Sequence, residues 1–356
     1  MNLRLRKLRR LLSRQNLDAI IISSPSNRRY LSGFTGSAGF LLISQTEAVL
    51  ATDFRYTEQA ASQAPDFRIV RSQGELDWFP RTVTELGLKA VGFESDDLAV
   101  TAYRHLVEEA RRLSPRTRPR LIATRGIAES LRAIKDRSEL RAIRAAAKIA
   151  DAAIAHARSI LAPGTSEREL AWRIERFLRE SGSETLPFPI IVASGPNAAR
   201  PHAEPSDRII GEGEPVVIDL GARVNGYCSD LTRTISLGQP SERMAEITAI
   251  VHKAQAAAIE GLATGMSGEE ADRLARTVIK SAGYEEAFGH GLGHGVGLDV
   301  HEQPRLGPKS EDTLRGGMVF TIEPGIYLEG WGGVRTEDMV SLGKNGPSLL
   351  THAERF

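Results

Sequence analysis

The sequence has almost no cysteine, no long apolar run and almost no net charge. Cys228 is the only cysteine among 356 residues, so no intrachain disulfide can form, which is typical of a protein of the reducing cytoplasm. No stretch approaches the ~18 consecutive apolar residues of a membrane span. We therefore expect a cytoplasmic protein without a membrane partner. Cys228 is interpreted as a small buried residue and is a weak candidate nucleophile.

The balance of charge also excludes a class of partners. There are 46 basic and 45 acidic side chains, so no overall field attracts nucleic acid or anionic lipid. The one basic segment, residues 1–15, carries leucines at helical spacing and predicts an amphipathic first helix. A strand-like LDAIIIS follows without a cleavage site, which argues against a signal peptide.

The length predicts two domains, since single hydrophobic cores stop growing at roughly 250–300 residues. Strand and helix patterns alternate up to about residue 125, which predicts an α/β domain. The composition shifts at the Pro- and Arg-rich segment 113–120. We therefore divide the chain into an N-terminal α/β domain, 1–125, and a second domain, 126–356.

The second domain contains an internal repeat. LAPGTSERE (161–169) and LATGMSGEE (262–270) align at a constant offset of 101 residues. Each follows a long helical pattern, the first over about 128–160, and Ser166 with Glu169 predicts a capping box. Each copy leads into strands that contain two acidic residues, so a duplicated α-α-β unit about a pseudo-twofold axis would bring four carboxylates together.

The most unusual stretch is FGHGLGHGVGLDVHEQP (288–304), which contains three histidines among five glycines. Histidine titrates near neutrality and ligates metals through a neutral ring nitrogen. The glycines do not form a nucleotide-binding motif, because neither the P-loop nor the GxGxxG spacing is present. A flexible glycine-rich loop with incidental histidines is the alternative interpretation of this stretch alone.

An Asn225-Gly226 hairpin predicts how the first two acids meet. A two-residue turn there places Asp219 opposite Thr232, with Asp230 as a diagonal neighbour on the same face. Carboxylates forced together either share a proton or hold a cation, and a nearby histidine favours the cation. Oxygen ligands with one imidazole suit Mn, Fe(II), Co or Zn, and bridging carboxylates suit two ions. The predicted ligands are Asp219, Asp230, His294, Glu323 and Glu337.

These motifs resemble the pita-bread metallopeptidases, and within them the Xaa-Pro peptidases, aminopeptidase P and prolidase. The resemblance rests on IDLG, YCSDLTRT, HGLGHGVGLDVHE, TIEPGIY and GVRTED, and extends to GFTGSAG (33–39) and TDFRY (52–56) in the first domain. It implies a creatinase-type N-terminal domain and a catalytic pita-bread domain of mixed α+β content.

The resemblance also implies a mechanism. Two divalent ions, with Mn favoured over Co, Zn or Fe, would activate a water that attacks the carbonyl before a proline nitrogen. His202 and His301 would face the substrate, Glu323 would also shuttle a proton, and Arg335 would anchor carboxylates. His290 and Tyr327 are expected to line the site. Proline-containing peptides are the expected substrates, and a homodimer is the expected assembly.

Several alternatives remain open at the level of sequence. The strings GFTGSAG and TDFRY favour aminopeptidase P, which trims longer peptides, over a strict Xaa-Pro dipeptidase. Methionine aminopeptidase generally lacks such an N-terminal domain, and creatinase shares the fold without these metal ligands. A catalytically silent peptide-binding relative would have lost ligands that this chain retains.

Overall fold

The computed structural model describes residues 2–356, which form two compact units, the first ending at Arg132 and the second comprising Ala133–Phe356. Among these residues, none of the helices combines the length and the apolar character needed to cross a bilayer.

The first unit alternates helices and strands. Its helices are α1 (Leu3–Arg14), α2 (Pro25–Ser32), α3 (Thr57–Gln63), α4 (Phe79–Leu86), α5 (Val100–Arg111) and α6 (Ile127–Arg132). Its strands are β1 (Ala19–Ile22), β2 (Phe40–Ser44), β3 (Ala48–Thr52), β4 (Arg68–Arg71), β5 (Ala90–Glu94) and β6 (Arg120–Thr124). They form one six-stranded sheet in the order β4-β3-β2-β1-β5-β6, in which only β2 runs antiparallel to its neighbours. The predicted α/β class is confirmed.

Two elements of this unit were not predicted from the sequence. Helix α2 is capped by the Ser24 side chain and has Pro25 in its first turn, which are standard start signals. Strand β6 follows the Pro- and Arg-rich segment and pairs in parallel with β5. Because β6 completes the sheet and α6 follows it, the first unit extends beyond the boundary that composition placed near residue 125.

The second unit contains four long helices and twelve strands among the described residues. The helices are α7 (Arg137–Ile160), α8 (Glu167–Glu180), α9 (Glu242–Gly261) and α10 (Gly268–Ser281). The first half has strands β7 (Ile191–Ser194), β8 (Val216–Leu220), β9 (Arg223–Val224), β10 (Tyr227–Cys228) and β11 (Leu231–Ile235). The second half has β12 (Gly293–Gly295), β13 (Glu302–Leu306), β14 (Val319–Ile322), β15 (Gly325–Leu328), β16 (Gly332–Arg335), β17 (Asp338–Gly343) and β18 (Gly346–Leu349).

The predicted repeat is present in the fold. Helices α8 and α10 begin and end at the offset of 101 residues, as do the ends of α7 and α9. Each capped helix buries one apolar face with four-residue spacing against its own sheet. The buried positions correspond across the repeat: Leu170, Ile174 and Leu178 in α8, and Ala271, Ala275 and Ile279 in α10.

Two details of the helix prediction were wrong. The predicted helix over 128–160 is two helices, because Asp136 caps α7 and forms a reciprocal capping box with Glu139. The Ser166 side chain accepts a hydrogen bond from the Glu169 amide, but the return bond is absent, and Glu169 lies 3.9 Å from Arg173 instead. At the equivalent position, Ser267 and Glu270 form the complete box.

The hairpin register is as predicted. Asn225 and Gly226 both have positive φ, 49° and 78°, as a two-residue type I′ turn requires. Val224 pairs with Tyr227, and Asp219 pairs with Thr232 across β8 and β11. This register fixes which face of the three-stranded sheet β11-β8-β7 carries Asp219.

The two capped helices give a matched test of the cap energetics. Ser267→Ala removes a bond accepted from the Glu270 amide and one donated to its carboxylate, whereas Ser166→Ala removes only an accepted bond. We expect both variants to lose stability, typically ~1 kcal/mol for a cap, with the larger loss for Ser267→Ala. Urea unfolding followed by circular dichroism measures both. Equal losses would contradict the structural difference between the boxes.

Candidate metal centre and active site

The predicted ligands come from separate segments of both halves of the second unit. One carboxylate is in β8, one precedes β11, the histidine is in β12, one carboxylate follows β14 and the last lies between β16 and β17. A cavity of about 520 Å³ is lined by all of them. These residues are Asp219, Asp230, His294, Glu323 and Glu337. The structure thus brings together the whole predicted set.

The geometry around His294 fits a bound cation. Its Nε2 lies 3.6 Å from Asp230 Oδ2 and 3.4 Å from Glu323 Oε1. Ligand atoms of Asp230, His294 and Glu337 lie within 4.8 Å of one another. The other ring nitrogen, Nδ1, is 3.2 Å from the Gly295 carbonyl oxygen, and donation to that oxygen leaves Nε2 with its lone pair free for a metal.

The electrostatics of the carboxylates point to the same conclusion. Burial raises the pKa of Asp230, Glu323 and Glu337, and charge repulsion from neighbouring carboxylates raises each further. Such a cluster is unfavourable in its ionised form unless a cation neutralises it. Burial lowers the pKa of His294, which keeps its imidazole neutral and able to ligate.

Asp219 gives the most specific indication of a missing partner. Its Oδ2 forms a 2.6 Å ion pair with Arg335, while its Oδ1 is buried and has no hydrogen-bond partner among the described residues. A buried carboxylate oxygen without a donor is costly, and a metal ion would satisfy it. The oxygen-rich donor set with one imidazole fits a hard or borderline divalent cation.

Arg335 is the central cation of the site. Besides Asp219, its guanidinium donates to the Tyr327 hydroxyl at 2.8 Å and to Thr232 Oγ1 at 3.1 Å. Thr232 in turn donates to Glu337 Oε2 at 2.7 Å. Sequence reasoning assigned Thr232 no role, although the predicted register placed it directly opposite Asp219.

His290 and Tyr327 form a chain that ends at this arginine. His290 lines the cavity, and its Nε2 lies 3.0 Å from the Tyr327 hydroxyl. Burial raises the pKa of Tyr327 to about 12, so the phenol stays protonated and can donate to that nitrogen. Tyr327 itself does not line the cavity. It contacts the site through its hydroxyl group.

The two histidines that the resemblance places near the substrate both line the cavity. The His301 ring lies 4.2 Å from the His294 ring, centroid to centroid. Burial and the adjacent His294 lower the pKa of His301. His202 follows the short 3₁₀ helix Gly195–Ala199 and is exposed on the cavity wall.

Sequence reasoning missed one basic residue of the cavity wall, Arg305. It is the β13 residue paired with His294 in β12, and such directly opposed residues project from the same face of a sheet. Its guanidinium has no hydrogen bond or ion pair within residues 2–356. An alignment of β13 with β12 was the only signal that could have identified it.

A buried ion pair supports the backbone of Glu337, the last of the predicted ligands. Arg233 and Asp338 approach to 2.7 Å with side chains only 2% and 1% exposed. Arg233 also donates to the Glu337 backbone oxygen at 2.6 Å and to the carbonyls of Ala353 and Glu354. The C-terminal segment therefore packs against the backbone that presents Glu337.

Comparison with known sequence families gives two matches that cover nearly the whole chain. The profile described as metallopeptidase family M24 matches residues 141–344. The profile described as the creatinase/prolidase N-terminal domain matches residues 4–134.

Individual relatives match over almost their full length. A structure of an Xaa-Pro dipeptidase from Bacillus anthracis is 41% identical, with 99% of this chain and 98% of that chain covered and a TM-score of 0.94. The Xaa-Pro dipeptidase of Pyrococcus horikoshii is 37% identical over 100% of this chain and 98% of its own. A structure of an X-Pro aminopeptidase from Thermotoga maritima is 36% identical, with 97% and 98% covered and a TM-score of 0.88.

Metal binding should stabilise the protein more as pH rises. The raised pKa values of Asp230, Glu323 and Glu337 mean that the metal-free fold holds protons there, and this contribution to stability is lost as pH rises through those values. A metal competes with the protons and relieves the repulsion. We expect the increase in Tm on adding Mn²⁺ to chelator-stripped protein to be larger at pH 8 than at pH 6. The same increase at both values would contradict this electrostatic picture, and Asp219→Asn should reduce the increase at either pH.

Proposed function

Because the chain belongs to metallopeptidase family M24, with a creatinase/prolidase N-terminal domain before its catalytic domain, we propose that it is an Xaa-Pro dipeptidase. Such an enzyme hydrolyses a dipeptide at the bond before proline. Relatives named Xaa-Pro dipeptidase, 37% and 41% identical over almost the whole chain, support this assignment.

The preference for aminopeptidase P drawn from GFTGSAG and TDFRY is not supported. Proteins named as dipeptidases match this chain from end to end, including its N-terminal unit. A first unit of this kind therefore does not distinguish the two activities. The choice has to rest on the cavity.

Arg305 is the observation that carries the dipeptidase proposal. Two arginines line the cavity, and Arg335 is already paired with Asp219. The guanidinium of Arg305 is unpaired among the described residues. Arg305 in β13 is the cross-strand partner of the predicted ligand His294 in β12, so a carboxylate bound to it would lie close to the reacting centre. A free C-terminal carboxylate one residue beyond the cleaved bond is the feature that distinguishes a dipeptide from a longer peptide.

The predicted ligands Asp219, Asp230, His294, Glu323 and Glu337 would hold two divalent ions, for which we propose Mn²⁺. Metal ions bound there supply Lewis acidity and a water of near-neutral pKa. The ligand set supports this choice without distinguishing Mn²⁺ from Co²⁺, Zn²⁺ or Fe²⁺.

The remaining side chains act on the substrate. His301 and His202 would each donate an N–H to the carbonyl oxygen of the bond before proline, and stabilise the charge that develops there. Glu323 would take the proton of the attacking water and deliver it to the proline nitrogen as the C–N bond breaks. Arg335 would hold Asp219 in orientation through their 2.6 Å ion pair. Apolar residues of the wall, among them Phe188 and Ile190, would pack against the proline ring.

Two further predictions concern the protein as a whole. We propose that it is a homodimer and that it acts in the cytoplasm. The single cysteine supports the second proposal, because an intrachain disulfide cannot form.

A comparison of substrates tests the function. Chelator-stripped protein reloaded with Mn²⁺ should release the N-terminal residue from an Xaa-Pro dipeptide and should cleave an Xaa-Pro-Yaa tripeptide much more slowly. Rapid tripeptide cleavage would establish aminopeptidase P activity instead. If neither peptide is cleaved with Mn²⁺, Co²⁺ or Zn²⁺, the protein is a peptide-binding relative without catalysis.

Arg305→Gln tests the carboxylate anchor. Because charged hydrogen bonds contribute roughly 1.5–3 kcal/mol, we expect KM for the dipeptide to rise ~10- to 100-fold with a smaller change in kcat. The control substrate is the same dipeptide with an amidated C terminus, which lacks the negative charge. It should be cleaved poorly by the wild type and almost equally by the variant. A similar rise in KM for both substrates would exclude Arg305 as the anchor.

A further inference from the structure

Glu167, the first residue of α8, is a charged side chain that the mechanism does not use. It is 0% exposed and lies outside the cavity lining. Burial alone would raise its pKa, but hydrogen bonds from Ser206 and Ser194 outweigh burial and lower the pKa below its ordinary value. A fully buried and ionised carboxylate is costly unless hydrogen bonds satisfy it.

The hydrogen bonds to Glu167 join the two ends of the segment that carries His202. Oε1 accepts hydrogen bonds from the Ser194 amide and hydroxyl at 2.7 and 2.8 Å. Oε2 accepts from the Ser206 amide and hydroxyl at 3.0 and 2.6 Å. The Asn197 side-chain amide donates to both oxygens, at 3.1 and 3.0 Å. One carboxylate thus connects the end of β7 to the far side of the loop.

We propose that Glu167 is a positioning residue that sets where His202 stands on the cavity wall; the inference rests on the proposed function. Between Ser194 and Ser206 the chain has only the short 3₁₀ helix and irregular backbone, with Pro201 held by a 3.3 Å bond from Arg335. Glu167 therefore fixes the two ends of the loop, and the bond from Arg335 to Pro201 fixes its centre.

The second half of the repeat shows why a side chain is needed at this position. The first two amides of α8 donate to the carbonyls of Arg208 and Ser206, and those of α10 donate to the carbonyls of Asp312 and Ser310. Both helices therefore support a loop that leads to the cavity.

The two supports differ in one residue. The counterpart of Glu167 at the repeat offset is Gly268, where an added Cβ would lie 2.0 Å from the Arg305 carbonyl oxygen. The chain bearing Arg305 thus rests directly on the helix backbone. The loop bearing His202 stands further away, and the carboxylate of Glu167 fills the interval.

A double-mutant cycle on the full-length, Mn²⁺-loaded protein tests the proposal. Glu167→Gln keeps the shape but places an amide NH₂ against hydrogen-bond donors, and we expect kcat/KM for the Xaa-Pro dipeptide to fall ~10-fold or more. In a His202→Ala background the same change should cost less than ~2-fold, because its effect passes through His202. Equal losses in both backgrounds would mean a general structural role and would overturn the inference.

Matched variants distinguish a role in the loop from an effect on the helix or on the metal centre. Glu169→Gln, an exposed acid in the same helical turn, should leave kcat/KM unchanged. Mn²⁺ affinity measured by calorimetry should stay the same in Glu167→Gln, since the ligands lie elsewhere; a large loss would contradict a role confined to the loop. If Glu167→Gln does not fold, Ser206→Ala removes one of the contacts and enters the same cycle.

A readout independent of catalysis distinguishes failure of this inference from failure of the proposed function. Hydrogen–deuterium exchange of the amides in residues 195–206 should accelerate in Glu167→Gln relative to Glu169→Gln. Unchanged exchange would overturn the positioning role whatever the activity. If the wild-type protein cleaves no Xaa-Pro peptide, the proposed function fails, and accelerated exchange alone would leave Glu167 as a loop support without a catalytic purpose.

Discussion

The repulsion between carboxylates that share one cavity is the constraint on which the second unit depends. Asp219, Asp230, Glu323 and Glu337 converge on one cavity, and Arg335 is the only buried cation that directly pairs with any of them in the described chain. This arrangement lowers the stability of the fold unless a cation also binds there. The hydrogen bonds made by Arg335 and Thr232 orient the carboxylates. Asp219 Oδ1 has no hydrogen-bond partner among the described residues, so it is the atom that a metal ion would satisfy.

Much of this site could be predicted because each candidate residue lies in a short and distinctive motif, although the motifs are far apart in the sequence. The Asn225-Gly226 turn fixes the register of two strands, and register alone decides that Asp219 faces Thr232. The repeat offset of 101 residues then predicts the second half of the fold from the first. The histidine-rich stretch stands out in the sequence by its glycines, which allow the backbone to approach neighbouring strands closely. At Gly293, an added Cβ would lie 2.1 Å from the Thr321 carbonyl oxygen.

The features that were missed depend on contacts between distant segments. In the sequence, Arg305 cannot be distinguished from a surface arginine, because its place beside His294 depends on the pairing of β13 with β12. Glu167 likewise resembles any acidic residue in the first turn of a helix. The break between α6 and α7 was missed because an alanine-rich pattern conceals a cap at Asp136. The preference for aminopeptidase P, which was drawn from N-terminal strings, is not supported, since a domain shared by both enzyme types carries no information about the length of the substrate.

The distribution of the predicted ligands along the chain has a consequence for biosynthesis. Asp219 and Asp230 belong to the first half of the repeat, whereas Glu337 follows β16 and depends on Arg233 and the segment around Ala353 for its backbone position. A chain emerging from the ribosome therefore exposes Asp219 and Asp230 before Glu337 and the segment that supports it have been synthesised. The five predicted ligands are therefore not all supported until the segment around Ala353 has been synthesised. In the proposed mechanism, hydrolytic activity therefore begins only after Glu337 and the segment that supports it have folded.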